Sequence, residues 1–277
     1  MSTKNANMTK AQRREAARAE ALALQQKQAA RDKRSRMIAF AALGAGLIVV
    51  AAVVFFILRQ DEGSPDTNFE GKPLSQVEMP STAQESGGIP VGAGGAAGTT
   101  NEGAPVVDIY LDYMCPICGQ FEAANAASID QMTADGTATV VYHPVSILDR
   151  QSQGSQYSTR SAAAVAWVAD QAPEAFPAFS AALFTNQPAE GTEGLTNAQL
   201  ASFAEEAGAP ADVAAGIEDG TALKTFGQYV FSATNAATEA ADGNFGTPRV
   251  LIDGEEFPNW NQPGALQQAV EAAAAAG

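Results

Sequence analysis

Apolar and polar positions divide the chain into three stretches. Residues 37–58, MIAFAALGAGLIVVAAVVFFIL, form a run of 22 residues without a charge. As a helix this run would rise about 33 Å, enough to cross a hydrocarbon core. Arg59-Gln60-Asp61 follows it, where a signal peptide would show a small-residue cleavage site. A transmembrane helix over 37–58 is therefore expected, since a buried core helix seldom runs so far without a polar face. Residues 60–104 show little apolar periodicity and hold 4 Pro and 9 Gly. They read as a flexible tether over 59–88, with Ile89-Pro90-Val91 as a short edge strand of the domain that follows.

Beyond the tether, strand and helix patterns alternate. VVDIYL predicts a buried strand over Val106–Leu111. Pro116 suits a first helical turn, so a helix is expected from Cys115-Pro116 through 119–127. ATVVY predicts a second strand over 138–142. Helical segments are expected at about 159–172, 174–184, 197–207, 211–218 and 222–241, with Thr196-Asn197-Ala198-Gln199 as a capping box. Phe226 and Val230, four apart, define one buried face of the last of these. Asp253-Gly254 between Arg249–Ile252 and 255–257 is a hairpin signal. A helix over 263–276 closes the chain, with Leu266 and Val270 on one face.

Charge adds a direction. Residues 1–36 carry 10 Lys/Arg against 3 acids, whereas the chain from Arg59 onward carries 6 against 28. A basic flank stays in the cytoplasm, which places the acidic part outside. Residues 1–36 begin with a capping box at Thr9-Lys10-Ala11-Gln12 and read as a polar helix against anionic headgroups. A net charge of −15 makes the whole chain a poor partner for nucleic acid. With 2 Cys and 1 His, the chain can supply neither a closed structural zinc site nor a disulfide-dense scaffold.

The chemistry is concentrated in Cys115-Pro116-Ile117-Cys118. Cys115 is expected at the N-terminus of a helix that follows a strand, where free N–H groups and the helix dipole favour a thiolate. A fall of about three pKa units there would favour the thiolate by roughly 4 kcal/mol. Cys118 lies one turn further in. The first sulfur is expected to be exposed and reactive, the second shielded and resolving. Other readings remain open at this level. A structural bridge enclosing two residues removes little unfolded-state entropy, half a zinc site lacks further ligands, and Met114 beside the pair offers a soft donor to Cu(I).

The segment 107–122, VDIYLDYMCPICGQFE, resembles the active-site strand and helix of the DsbA-like branch of the thioredoxin superfamily. Downstream, Gly246-Thr247-Pro248-Arg249-Val250-Leu251-Ile252-Asp253-Gly254 is similar to the superfamily's cis-proline loop running into its β-hairpin. The helical stretch at about 150–241 resembles the insertion that separates DsbA-like proteins from bare thioredoxins. The likeness covers about residues 89–277. With the anchor, the chain resembles the membrane-tethered DsbA-like oxidoreductases of Gram-positive bacteria.

That resemblance implies an α/β, thioredoxin-like fold with a helical insertion, preceded by a single transmembrane helix. It implies the organisation 1–36 basic cytoplasmic segment, 37–58 transmembrane helix, 59–88 tether and 89–277 catalytic domain facing outward. Cys115 would be the attacking and attacked sulfur and Cys118 its partner. Pro248 would be the cis-proline, Thr247 would offer its backbone to a substrate strand, and Pro116 and Ile117 would tune the potential. Ile117 stands where the best-known DsbA has His, which implies a strong but not extreme oxidant. The acid that family members often carry six residues before the first Cys is Ile109 here. Asp112 is the substitute candidate for proton handling, or else a strand-end or helix-capping Asp. No cofactor and no metal are implied.

The implied clients are exported proteins with free cysteines. A vitamin K epoxide reductase-like or DsbB-like membrane protein would recycle the dithiol. The same residues also admit an extracytoplasmic reductase or isomerase, or a non-enzymatic thioredoxin-like binding module or copper chaperone. His143, Trp167 and Trp260 are expected to pack or line a groove, and Arg150 and Arg160 to answer local carboxylates.

Overall fold

In a computed structural model of the protein, residues 68–276 are described. The basic segment 1–36 and the apolar run 37–58 lie outside them. Among the described residues no helix is long and apolar enough to cross a membrane.

The domain is built on a five-stranded sheet ordered β1-β3-β2-β4-β5. Its strands are β1 (Ile89–Val91), β2 (Val106–Leu111), β3 (Thr139–Pro144), β4 (Arg249–Ile252) and β5 (Glu255–Glu256). Only β2 and β3 run parallel; β1, β4 and β5 pair antiparallel with their neighbours. A parallel pair needs a crossover, and α1 (Pro116–Ala134) supplies it. This helix runs one to two turns beyond the expected 119–127, because Ile129 and Met132 continue its buried face past the Ala-rich stretch. β3 is shifted towards its C-terminus relative to 138–142, so that Pro144 stands opposite Leu111.

Burial alternates along β2 as period two requires: Val107, Ile109 and Leu111 are buried, whereas Asp108 and Tyr110 are partly exposed. Phe121, Ile129 and Met132 of α1 join that buried face. Leu266 and Val270 of the C-terminal helix α7 (Ala265–Ala276) complete it. Asp253 and Gly254 both take positive φ, 50° and 84°, as a two-residue turn between β4 and β5 demands.

The insertion contributes α2 (Tyr157–Gln171), α3 (Phe176–Thr185), α4 (Asn197–Glu206), α5 (Ala211–Glu218) and α6 (Thr221–Ala240). The capping box at Thr196 forms, with both the Thr196 and Gln199 side chains engaged. Ala162, Ala163 and Ala166 leave room on α2 for Leu223, Phe226, Tyr229 and Val230 of α6.

The tether expected up to residue 88 is not free chain from Phe69 onward. Phe69, Leu74, Val77 and Met79 pack against this second apolar cluster. Ser81 N–H donates to Asp170 Oδ1 at 2.6 Å, and the Tyr229 hydroxyl donates to the Gly87 carbonyl. Residues 69–88 therefore form a strap on the helical insertion. Their apolar side chains are too sparsely spaced to show periodicity, so the packing partner alone orders them.

Candidate active site

The site forms where β2 ends and α1 begins, because the chain must turn there to cross over to β3. Asp112 organises the turn. Its side chain is fully buried, and its two oxygens accept four hydrogen bonds. Met114 N–H and the Ser158 hydroxyl donate to Oδ1 at 2.8 and 2.7 Å, and Ile147 N–H and Leu148 N–H to Oδ2 at 2.8 and 2.9 Å. Burial pushes its carboxyl up to about 6, against the pull of those donors. The carboxylate thus ties together the loops after β2 and β3 and the start of α2. Its side chain bonds to neither sulfur and sits just past the end of β2, where it holds loop amides and the Ser158 hydroxyl.

Cys115 is the N-cap of α1, with φ −75° and ψ 115°, and Pro116 fills the first helical position. The Cys115 thiol is brought down to about 6. The hydrogen bond from Cys118 contributes most, burial opposes it, and Thr247 and the N–H groups of Cys118 and Ile117 add to the lowering. The two N–H groups are the helix-start share of that lowering, smaller than the share of the Cys118 thiol. Cys118 is fully buried, and burial drives its thiol far above the ordinary value. Both cysteines are free thiols.

The asymmetry expected between the two sulfurs is present, with one correction. Cys115 is only 6% exposed. The cis-proline loop covers it: Cys115 Sγ lies 3.4 Å from the Thr247 carbonyl oxygen, and the Thr247–Pro248 bond is cis. The Thr247 hydroxyl is buried without a hydrogen-bond partner. Ile117, between the two cysteines, is 46% exposed, a large apolar side chain facing water. The cis-proline loop opens into a pocket of about 210 Å³ lined by Pro248, Arg249, Glu256, Phe257 and Trp260. Trp260 stacks edge-on against Phe121 of α1.

The remaining candidates fall away from the sulfurs. His143 is packed, its Nε2 2.8 Å from Asp108 Oδ1 and its ring stacked on Tyr110. Trp167 donates to the Val213 carbonyl. Arg160 answers the Asp149 carboxylate through space, as expected, and its hydrogen bonds go to the Ser155 and Leu195 carbonyls and to Asn197 Oδ1, clamping the loop before α4.

Sequence reasoning missed three contributors. Ser158 serves Asp112 from the next helix. Glu122, one turn beyond Cys118, lines a pocket of about 240 Å³ between α1 and α3, and burial pushes its carboxyl up to about 7. Gln187, after α3, donates from Nε2 to the carbonyls of Tyr113 and Cys115. The placement of Glu122 four residues after Cys118 was a usable signal; nothing local marks Gln187.

Comparison with known proteins agrees with this geometry. A thioredoxin family model matches residues 97–272. The chain is 37% identical over 169 residues to the serine/threonine-protein kinase PknE of Mycobacterium tuberculosis, across 59% of this chain and 29% of that protein. It thus spans less than a third of the length of the curated relatives it matches. Among solved structures it is similar to oxidised DsbA of M. tuberculosis, with TM-score 0.55 and 33% identity over 68% of this chain and 92% of that one. The reduced disulfide bond oxidoreductase DsbG of the same organism gives 0.54 and 33% over 67% and 86%. MdbA, a thiol-disulfide oxidoreductase from Actinomyces oris, gives 0.58 and 25% over 73% and 96%. The chain belongs to the thioredoxin family, in its branch of DsbA-like thiol–disulfide oxidoreductases.

Proposed function

We propose that this protein is a membrane-tethered thiol oxidase that introduces disulfides into exported proteins. The observation that carries the reading is a Cys115 sulfur at a helix N-terminus, its thiol lowered to about 6, against the backbone of a cis-proline loop.

In the oxidised protein, a client thiolate attacks Cys115 Sγ of the Cys115–Cys118 disulfide. The S–S bond breaks and its electron pair leaves with Cys118, whose buried thiol takes up a proton. A second client thiolate attacks the client sulfur of the mixed disulfide, and Cys115 departs as a thiolate. Two electrons pass from the client dithiol to the cysteine pair. A low-pKa leaving thiol speeds the last step, and a stabilised thiolate favours the reduced enzyme, which makes the disulfide oxidising. Thr247 offers its carbonyl to an incoming strand, and Pro116, Ile117 and Pro248 shape the surface that strand meets.

The uncharged run 37–58, the basic flank before it and the acidic chain after it support a single span with the catalytic domain outside. The lack of other cysteines suits work among client thiols, since no stray thiol can mispair. The dithiol then needs a two-electron acceptor. A vitamin K epoxide reductase-like or DsbB-like protein in the same membrane fits that need.

The test is Cys118→Ala in the full chain. It is expected to accumulate mixed disulfides between Cys115 and exported proteins, while wild-type Cys115 is mostly oxidised in cells. A mostly reduced Cys115 would point the electrons the other way, towards a reductase or isomerase. Absence of trapped species would leave a binding module without exchange chemistry.

A further inference from the structure

We infer that Gln187 is a positioning residue for Cys115: its side-chain amide holds the carbonyl of the α1 cap and so keeps the sulfur aimed at the helix N–H groups. This rests on the thiol–disulfide reading of the site and adds to it a residue from the far end of α3.

Cys115 caps α1 without any side-chain cap hydrogen bond. Its backbone must therefore be held by its surroundings. The Cys115 carbonyl accepts from Cys118 N–H at 3.0 Å and Gly119 N–H at 3.2 Å, as any helix start would provide. A third donor, Gln187 Nε2 at 2.8 Å, comes from outside the helix. The same nitrogen donates to the Tyr113 carbonyl at 3.1 Å. A primary amide carries two N–H bonds, so one side chain bridges the carbonyls on either side of Met114. That bridge fixes the peptide plane before Met114 and the one after Cys115, and rotation about the bonds between them would swing the sulfur away from Ile117 N–H and Cys118 N–H.

Gln187 is itself anchored to the turn it serves. Phe184 stacks on the Tyr113 ring with centroids 4.8 Å apart, and the Tyr113 hydroxyl and Ser180 Oγ lie 2.9 Å apart. Gln187 N–H closes the end of α3 on the Phe184 carbonyl. The insertion thus docks on the redox turn through three successive contacts, and the last of them reaches the cap.

Gly119 completes the arrangement. A Cβ there would stand 2.5 Å from Gln187 Oε1. Alanine is the better helix residue, but here it would push the amide off both carbonyls. Gly119→Ala and Gln187→Ala should therefore break the same contact from opposite sides.

The experiment follows the Cys115 thiolate by pH-dependent iodoacetamide alkylation in the full chain, with thermal unfolding as the control for folding. Gln187→Ala is expected to raise the titration midpoint by about 0.5–1 pH unit, a three- to tenfold loss of thiolate relative to thiol. Gly119→Ala should give the same shift and covers the case in which the first variant fails to fold. The double variant should shift no further than either single one. The inference is overturned if Gln187→Ala lowers the melting temperature but leaves the midpoint in place, if Gly119→Ala titrates like wild type, or if the two shifts add. Oxidation of a reduced client by the wild type is measured alongside. If that fails, the functional reading falls while the titration still decides the role of Gln187.

Discussion

Replacing Asp112 with Ala sets two opposed effects against each other, and pH separates them. The carboxylate satisfies three backbone N–H groups and the Ser158 hydroxyl at 2.7–2.9 Å. Each buried donor left unpaired costs about 1–3 kcal/mol. Water entering the emptied site would satisfy some of them, so a loss of about 4–7 kcal/mol is expected. In return the variant no longer buries a charge. Burial holds the folded carboxyl at about 6, from an ordinary value of 3.8. That difference is worth about 3 kcal/mol at neutral pH. The net expectation at pH 7 is destabilisation by about 1–4 kcal/mol.

The pH signature follows from the direction of the shift. A carboxyl raised in the folded state binds its proton more tightly there than in the unfolded chain. Its contribution to stability is full below about pH 3.8 and is lost as pH rises through about 6. Wild type should therefore gain about 2–3 kcal/mol from Asp112 between pH 7 and pH 4, and the variant should not. Carboxyls not coupled to Asp112 titrate alike in both proteins and cancel in the difference; Asp149, which raises the Asp112 carboxyl, does not. Urea unfolding of the two proteins at both pH values measures the gap. A gap that stays constant or narrows towards pH 4 refutes the reasoning, as does a variant more stable than wild type at pH 7.

Three further outcomes can be checked directly. Alkylation of Cys115 should be half-maximal at about pH 6 and fall below it, because the lowered thiol regains its proton there. Cys118→Ala should move that midpoint upward, since the Cys118 hydrogen bond is its largest cause; a wild-type midpoint near 9 refutes both. Tyr229→Phe should strand the Gly87 carbonyl, cost about 1–3 kcal/mol and speed proteolysis within 69–88. Unchanged stability and cleavage would show that the strap does not depend on this anchor.

Much of the domain was legible because its signals are local. The strand over Val106–Leu111, the capping box at Thr196 and the Asp253-Gly254 turn each follow from a few adjacent residues. So does the unequal chemistry of Cys115 and Cys118, since the spacing puts one sulfur at the cap and the other a turn inside. Sequence alone thus determined the placing of the cysteine pair and the elements that carry it. The tertiary structure decided what holds them. Nothing near Asp112 in the sequence shows that its partners lie on the loop after β3 and on α2. Gln187 lies 72 residues from the carbonyl it holds, and the strap residues owe their order to a helix more than a hundred positions away. Hydrogen bonds and burial act between surfaces that the chain brings together only on folding, so no local pattern of residue types records them.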